Sequence, residues 1–151
     1  MFPGNAYEQH LLERAAAGEP VALTAPGVME IAYGLAKAAR SAPSGNAALA
    51  WFTRLASSDL VVTLPLDAAG AVVAGRLRAV QPTPPTGLRR TATKPEQRAG
   101  WVLDLQTAAC AWAHGHTVAT DNRRDFDAIS DLVAALYPAV PALEVIDAPA
   151  F

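Results

Sequence analysis

The sequence predicts an α/β fold built on parallel strands. Three short apolar runs, VALT (21–24), LVVTL (60–64) and HTVAT (116–120), are separated by stretches of helical periodicity. Runs this short and without polar alternation suit strands buried on both faces, as in parallel sheets. Strands alternating with amphipathic helices imply crossover connections between parallel neighbours. At 151 residues the chain suits a single domain spanning 1–151.

Each element follows from local chemistry. Asn5 to Ala17 reads as a helix with Leu11, Leu12, Ala15 and Ala16 on one face, stopped by Gly18. Val21 to Thr24 is a strand. Thr24 caps a helix entered through Pro26, along which Val28, Ile31, Ala32 and Leu35 recur at helical spacing. Ser41 to Gly45 is a loop, and Asn46 to Ser57 a helix carrying Leu49, Phe52 and Leu55. LVVTL is bounded by Asp59 and Pro65, and Asp67 caps a helix running to about Val80. QPTPPTGLRRTATKP (81–95) is a long loop, and loops of that length are often functional. A helix beginning at Pro95 or Arg98 runs to His114 and ends at Gly115. HTVAT follows, then a helix over Arg124 to Leu136 with Phe126, Ile129, Val133 and Leu136 inward, then a last strand at Leu143 to Ile146.

Composition narrows the classes of function. The chain is 52% hydrophobic and 17% charged, enough apolar content for a core, with alanine supplying much of it. The net charge of −2 gives no global signal for nucleic acid, so any such contact must be a local patch. The lone cysteine, Cys110, cannot form an internal disulfide and fits a reducing, cytoplasmic setting. The first residues carry no signal-peptide pattern, and no run approaches the ~18 apolar residues of a membrane span.

Four acids fall where sites form in open α/β folds. Asp121 follows HTVAT directly, with Asn122 beside it and Asp125 one helical turn on. Glu30 lies in the first two turns of the helix after VALT, and Asp104 near the start of the helix before HTVAT. Converging carboxylates hold Mg²⁺ or Mn²⁺ well, and two such ions about 3.5–4 Å apart could activate water for phosphodiester cleavage. The competing reading is helix capping and dipole pairing, which wholly accounts for Asp59 and Asp67. Asp104 resists it, because it stands between Leu103 and Leu105 in an apolar stretch where an unpaired carboxylate is costly.

The stretch VLDLQTAACAWAHGHTVATDNRRDFDAI resembles the C-terminal signature of PIN domains. The matching positions are Asp104, Ala108, Ala109, Gly115, Thr117, Thr120, Asn122, Asp125 and Phe126. Upstream, ALTAPGVMEIAYGL resembles the family's second motif through Glu30 and Gly34. Together the matches frame residues 20 to 130. The resemblance, closest to VapC-type toxins, implies a three-layer α/β/α fold around a central parallel sheet. It implies a Mg²⁺- or Mn²⁺-dependent endoribonuclease toxin of a type II toxin–antitoxin system. Glu30 and Asp104 match metal-binding acids, Asp121 and Asp125 both stand for the remaining acidic position, and Asn122 matches a residue that orders the loop or binds a water. The implied partners are RNA, a VapB-type antitoxin and a second copy of the chain.

One departure is plain. PIN domains open with a central apolar strand ending in Asp-Thr or Asp-Ser, and that aspartate is the first metal ligand. MFPGN contains no acid and is too short for that strand. The expected fold therefore lacks its first strand, whose loss leaves two neighbouring strands with unpaired backbone groups. The resemblance predicts an upstream in-frame continuation of roughly 10–20 residues supplying it. An in-frame stop codon there favours the alternative, a non-catalytic or impaired module that binds RNA or an antitoxin.

Arg76, Arg78, Arg89, Arg90, Lys94 and Arg98 surround a single acid, Glu96, and form a local basic patch. Within it Arg89, Arg90 and Lys94 are the candidate RNA contacts, set against an ordinary solvated loop. The histidines are not spaced as a metal cluster; His114 and His116 bracket a helix end. Trp51, Trp101 and Trp112 read as core or interface rather than base-stacking platforms.

Overall fold

The structure is a computed structural model that describes residues 5–85 and 93–150. It is mixed α/β, with helices predominating over four short strands. The chain divides into two compact units, one ending at Leu64 and the other spanning Pro65–Ala150.

In the first unit, α1 (Asn5–Ala16) leads to β1 (Val21–Thr24), α2 (Ala25–Ala39), α3 (Ser44–Ala56) and β2 (Val61–Leu64). β1 and β2 pair in parallel, with Val21 opposite Val61 and Thr24 opposite Leu64. Thr24 caps α2 as expected, its hydroxyl accepting from the Gly27 N–H at 3.2 Å, with Pro26 in the first turn. Leu11, Leu55 and Val61 form a small core, with Tyr7, Val21, Leu23, Trp51 and Leu60 against it.

α3 starts two residues before the expected Asn46. The reason is Gly45, which is buried in its first turn. A Cβ there would lie 2.5 Å from both Cα and N of Ala39, so only glycine lets the start of α3 approach the end of α2. Gly75 is the opposite case, a helix-interior glycine whose added Cβ would meet nothing within 4 Å. Gly75→Ala is therefore expected to stabilise the protein by about 0.5–1 kcal/mol. Gly45→Ala is expected to destabilise it by at least about 1–3 kcal/mol. Paired urea titrations decide; equal shifts of the same sign would refute the contrast.

The second unit contains α4 (Ala68–Val80), α5 (Lys94–Ala113), β3 (Val118–Thr120), α6 (Arg123–Leu136) and β4 (Val145–Asp147). Asp67 caps α4 through the Gly70 N–H at 2.9 Å. β3, α6 and β4 make one crossover unit whose strands pair in parallel, Val118 with Val145 and Thr120 with Asp147. The core packs Val73, Ala74 and Leu77 of α4 with Trp101, Leu105, Ala108 and Ala109 of α5 and Phe126, Ile129 and Val133 of α6. Small side chains on α5 give the close helix contacts that the alanine content foretold. The Trp101 indole N–H donates to the Gln81 carbonyl at 2.7 Å. The Cys110 thiol is fully buried and donates to the Pro65 carbonyl at 3.2 Å.

Two differences from the expected fold stand out. The strands form two separate parallel pairs, β1 with β2 and β3 with β4, rather than one sheet. The strand at 116–120 is also shorter than expected: its ladder begins at Val118, and the Thr117 hydroxyl donates to the Glu144 carboxylate at 2.8 Å. α5 begins at Lys94, beside the expected start at about Pro95. Thr93 and Glu96 form a reciprocal capping box, the Glu96 N–H donating to the Thr93 hydroxyl and the Thr93 N–H to the Glu96 carboxylate.

α5 ends where Gly115 adopts a left-handed φ of 72°, which glycine accepts without steric cost. There the His114 Nε2 lies 3.0 Å from the Pro65 carbonyl and 3.7 Å from Asp67, tying the end of α5 to the start of α4.

Candidate active site

The site grows from the end of β3. After Thr120 the chain turns, and the Thr120 hydroxyl accepts from the Asn122 N–H at 3.0 Å, a local turn that the Thr-x-Asn spacing encodes. Asn122 then stands at the N-cap of α6, with a backbone ψ of 53° and no side-chain capping bond. Its carboxamide points elsewhere. Asn122 Nδ2 donates to Asp125 Oδ2 at 3.1 Å and to Asp104 Oδ2 at 3.4 Å. The amide donor is thus turned toward two carboxylate oxygens that can accept from it.

Three of the sequence candidates therefore meet: Asp104 from α5, and Asn122 and Asp125 from the start of α6. Asp104 was expected near the start of its helix. The capping box puts it in the third turn of α5 instead, half-buried, where it cannot act as a cap. Asp125 is the only buried charged residue among the described residues, at 6% exposure. It has a carboxylate oxygen, Oδ1, with no hydrogen-bond partner among them. Its place in the first turn of α6 sets it against the positive end of the helix dipole.

The remaining candidates are exposed or fall outside the described residues. Asp121 precedes the N-cap and is exposed. Glu30 is exposed on the second turn of α2 in the first unit. Lys94 and Arg98 are exposed one turn apart on α5, whereas Arg89 and Arg90 lie outside the described residues. Arg76 has a packing role, its guanidinium 4.8 Å from the centre of the Tyr137 ring, which meets Trp112 at a tilt of 43°.

Arg123, which sequence reasoning passed over, bonds Asp127 at 3.2 Å and Asp147 at 3.1 Å. Its hydrogen bond to the Asp127 carboxylate leads the effects that raise its pKa above the ordinary arginine value. Arg123 so links α6 to β4.

Asp104 and Asp125 suit a hard divalent cation: both are oxygen donors, and one oxygen is buried without a partner. Among the described residues, no group of three histidine, cysteine, aspartate or glutamate side chains is placed to hold a metal ion. Mg²⁺ is commonly held by one or two carboxylates, with waters and substrate phosphates completing its shell. Among the described residues, no helix is long and apolar enough to cross a membrane. Comparison with protein-family models, with curated proteins and with solved structures found no match.

Proposed function

We propose that the protein is a PIN-like, Mg²⁺- or Mn²⁺-dependent endoribonuclease of the VapC toxin type. The observation that carries the reading is the buried Asp125, bridged to Asp104 through Asn122 and left with an unpartnered oxygen. Burying a carboxylate without full compensation is costly. A buried polar atom without a partner in a native fold calls for an explanation, and a bound ion or a catalytic role is one.

Asp104 and Asp125 would hold the cation, with Asp121 contributing as the resemblance implies. The bound cation would supply charge to neutralise the phosphate and to ease deprotonation of the attacking water. The residues of the chain do the rest. Asp104 and Asp125 fix the negative pole of the site on two rigid helices. Lys94 and Arg98, with Arg89 and Arg90, bind phosphates of the strand and hold it in register. The water oxygen bonds to phosphorus, one ester P–O bond breaks, and the leaving oxygen takes up a proton. An antitoxin and a second copy of the chain are the partners this reading brings with it.

Cleavage of a structured RNA with and without Mn²⁺ tests the proposal. Asp104→Asn should lower the metal-dependent rate at least about 100-fold. Lys94→Ala should weaken RNA binding and reduce its salt dependence instead. Equal cleavage by Asp104→Asn would sink the assignment. RNA binding without any metal-dependent cleavage would favour a binding module.

A further inference from the structure

We infer that Asn122 is a two-position residue: without a cation its carboxamide bridges Asp104 and Asp125, and with one it turns back to cap α6. The inference rests on the metal-dependent reading above and adds a moving part to it.

Three observations lead there. Asparagine is among the best N-cap residues, yet Asn122 occupies the N-cap of α6 without capping it. Its ψ of 53° lies outside the extended region that capping residues adopt, so the backbone is turned to suit another task. That task is visible, since the single NH₂ group reaches both carboxylates at once.

The bridge is an incomplete solution. The partial positive charge of an amide stands between two acids, one of them 6% exposed, and still leaves Asp125 Oδ1 without a partner. A divalent cation satisfies the same oxygens far better, because it carries full charge and accepts several oxygen ligands. Once the carboxylates have that partner, the amide bridge is redundant. The freed side chain has a place to go, because the first-turn N–H groups of α6 have no cap from Asn122. Rotation of Asn122 ψ toward extended values would bring its Oδ1 to the N–H of Arg124 or Asp125. Cation binding and helix capping then become linked, and α6 tightens as the site fills.

Amide hydrogen exchange and NMR of the full chain, with Mg²⁺ as the probe, test this. Carboxyl carbon shifts of Asp104 and Asp125 report binding. In the wild-type protein, saturating Mg²⁺ should slow exchange at Arg124 and Asp125 about five- to tenfold, the protection expected of one cap. It should also move the Asn122 side-chain NH₂ resonances. Asn122→Ala should still shift the Asp104 and Asp125 carboxyls with Mg²⁺, without the slowing. Asn122→Ser, too short to bridge but able to cap, should show slow exchange with or without Mg²⁺. Carboxyl shifts with unchanged exchange in the wild type would overturn the two-position residue and leave the nuclease reading standing. Equal slowing in Asn122→Ala would overturn it too. Absence of any carboxyl shift would overturn both.

Discussion

Asp125→Asn should make the protein more stable by about 1–2 kcal/mol and, at the same time, cut metal-dependent RNA cleavage at least about 100-fold. The two effects share a cause. Asp125 is 6% exposed, its Oδ1 has no partner among the described residues, and its other oxygen shares one amide with Asp104. The neutral asparagine removes the cost of a buried charge and the repulsion between the two acids. It gives back part of that gain, because an acid in the first turn of α6 favours the helix by about 0.3–1 kcal/mol. For a chain of this size the net gain corresponds to a rise in Tm of about 2–8 °C. A residue kept for structure behaves the other way: its loss lowers Tm. A less stable Asp125→Asn variant would therefore mark Asp125 as architectural and remove the main support for the nuclease.

Trp101→Ala should cost about 3–5 kcal/mol. The indole is 1% exposed and belongs to the core that α4, α5 and α6 share. Its N–H also satisfies the Gln81 carbonyl, at the point where α4 gives way to the long loop. Trp101→Phe keeps most of the apolar area and loses only that bond, so it should cost about 1–3 kcal/mol. Urea midpoints of the two variants separate packing from hydrogen bonding. Near-equal losses would show that the Gln81 contact, rather than the volume of the ring, carries the effect. With typical domain stabilities of about 5–15 kcal/mol, Trp101→Ala should leave a markedly weakened fold.

The elements were legible wherever local chemistry decides them. Thr24 with Pro26 and Asp67 with Gly70 set helix starts through bonds confined to one turn, and both stand as read. The same holds for VALT and LVVTL, whose apolar, β-branched runs need no distant information. The start of α3 was misjudged because Gly45 looked like a loop residue, whereas its role is set by the backbone of Ala39 across the helix pair. The start of α5 was available in the sequence as Thr93-x-x-Glu96, beside the Pro95 that was read as its start. Strand partners were less accessible. Whether Val118 pairs with Val145 or joins β1 is a long-range choice that a run of apolar residues does not encode. In the site, the Asp125–Asn122 pairing follows from i, i+3 spacing at a helix start. The reach of Asn122 to Asp104 joins two helices and needed the fold.

The burial of Cys110 has a practical consequence. It is the only thiol in the chain, it has no exposure, and it is held to the Pro65 carbonyl. In the folded protein it should be silent to alkylating reagents, because reactivity needs an accessible thiolate. Its rate of modification then measures how often the second unit opens, with no label introduced. A cysteine engineered on the surface can likewise be derivatised selectively while Cys110 stays in place. The native thiol is a clock for unfolding, already wired into the core.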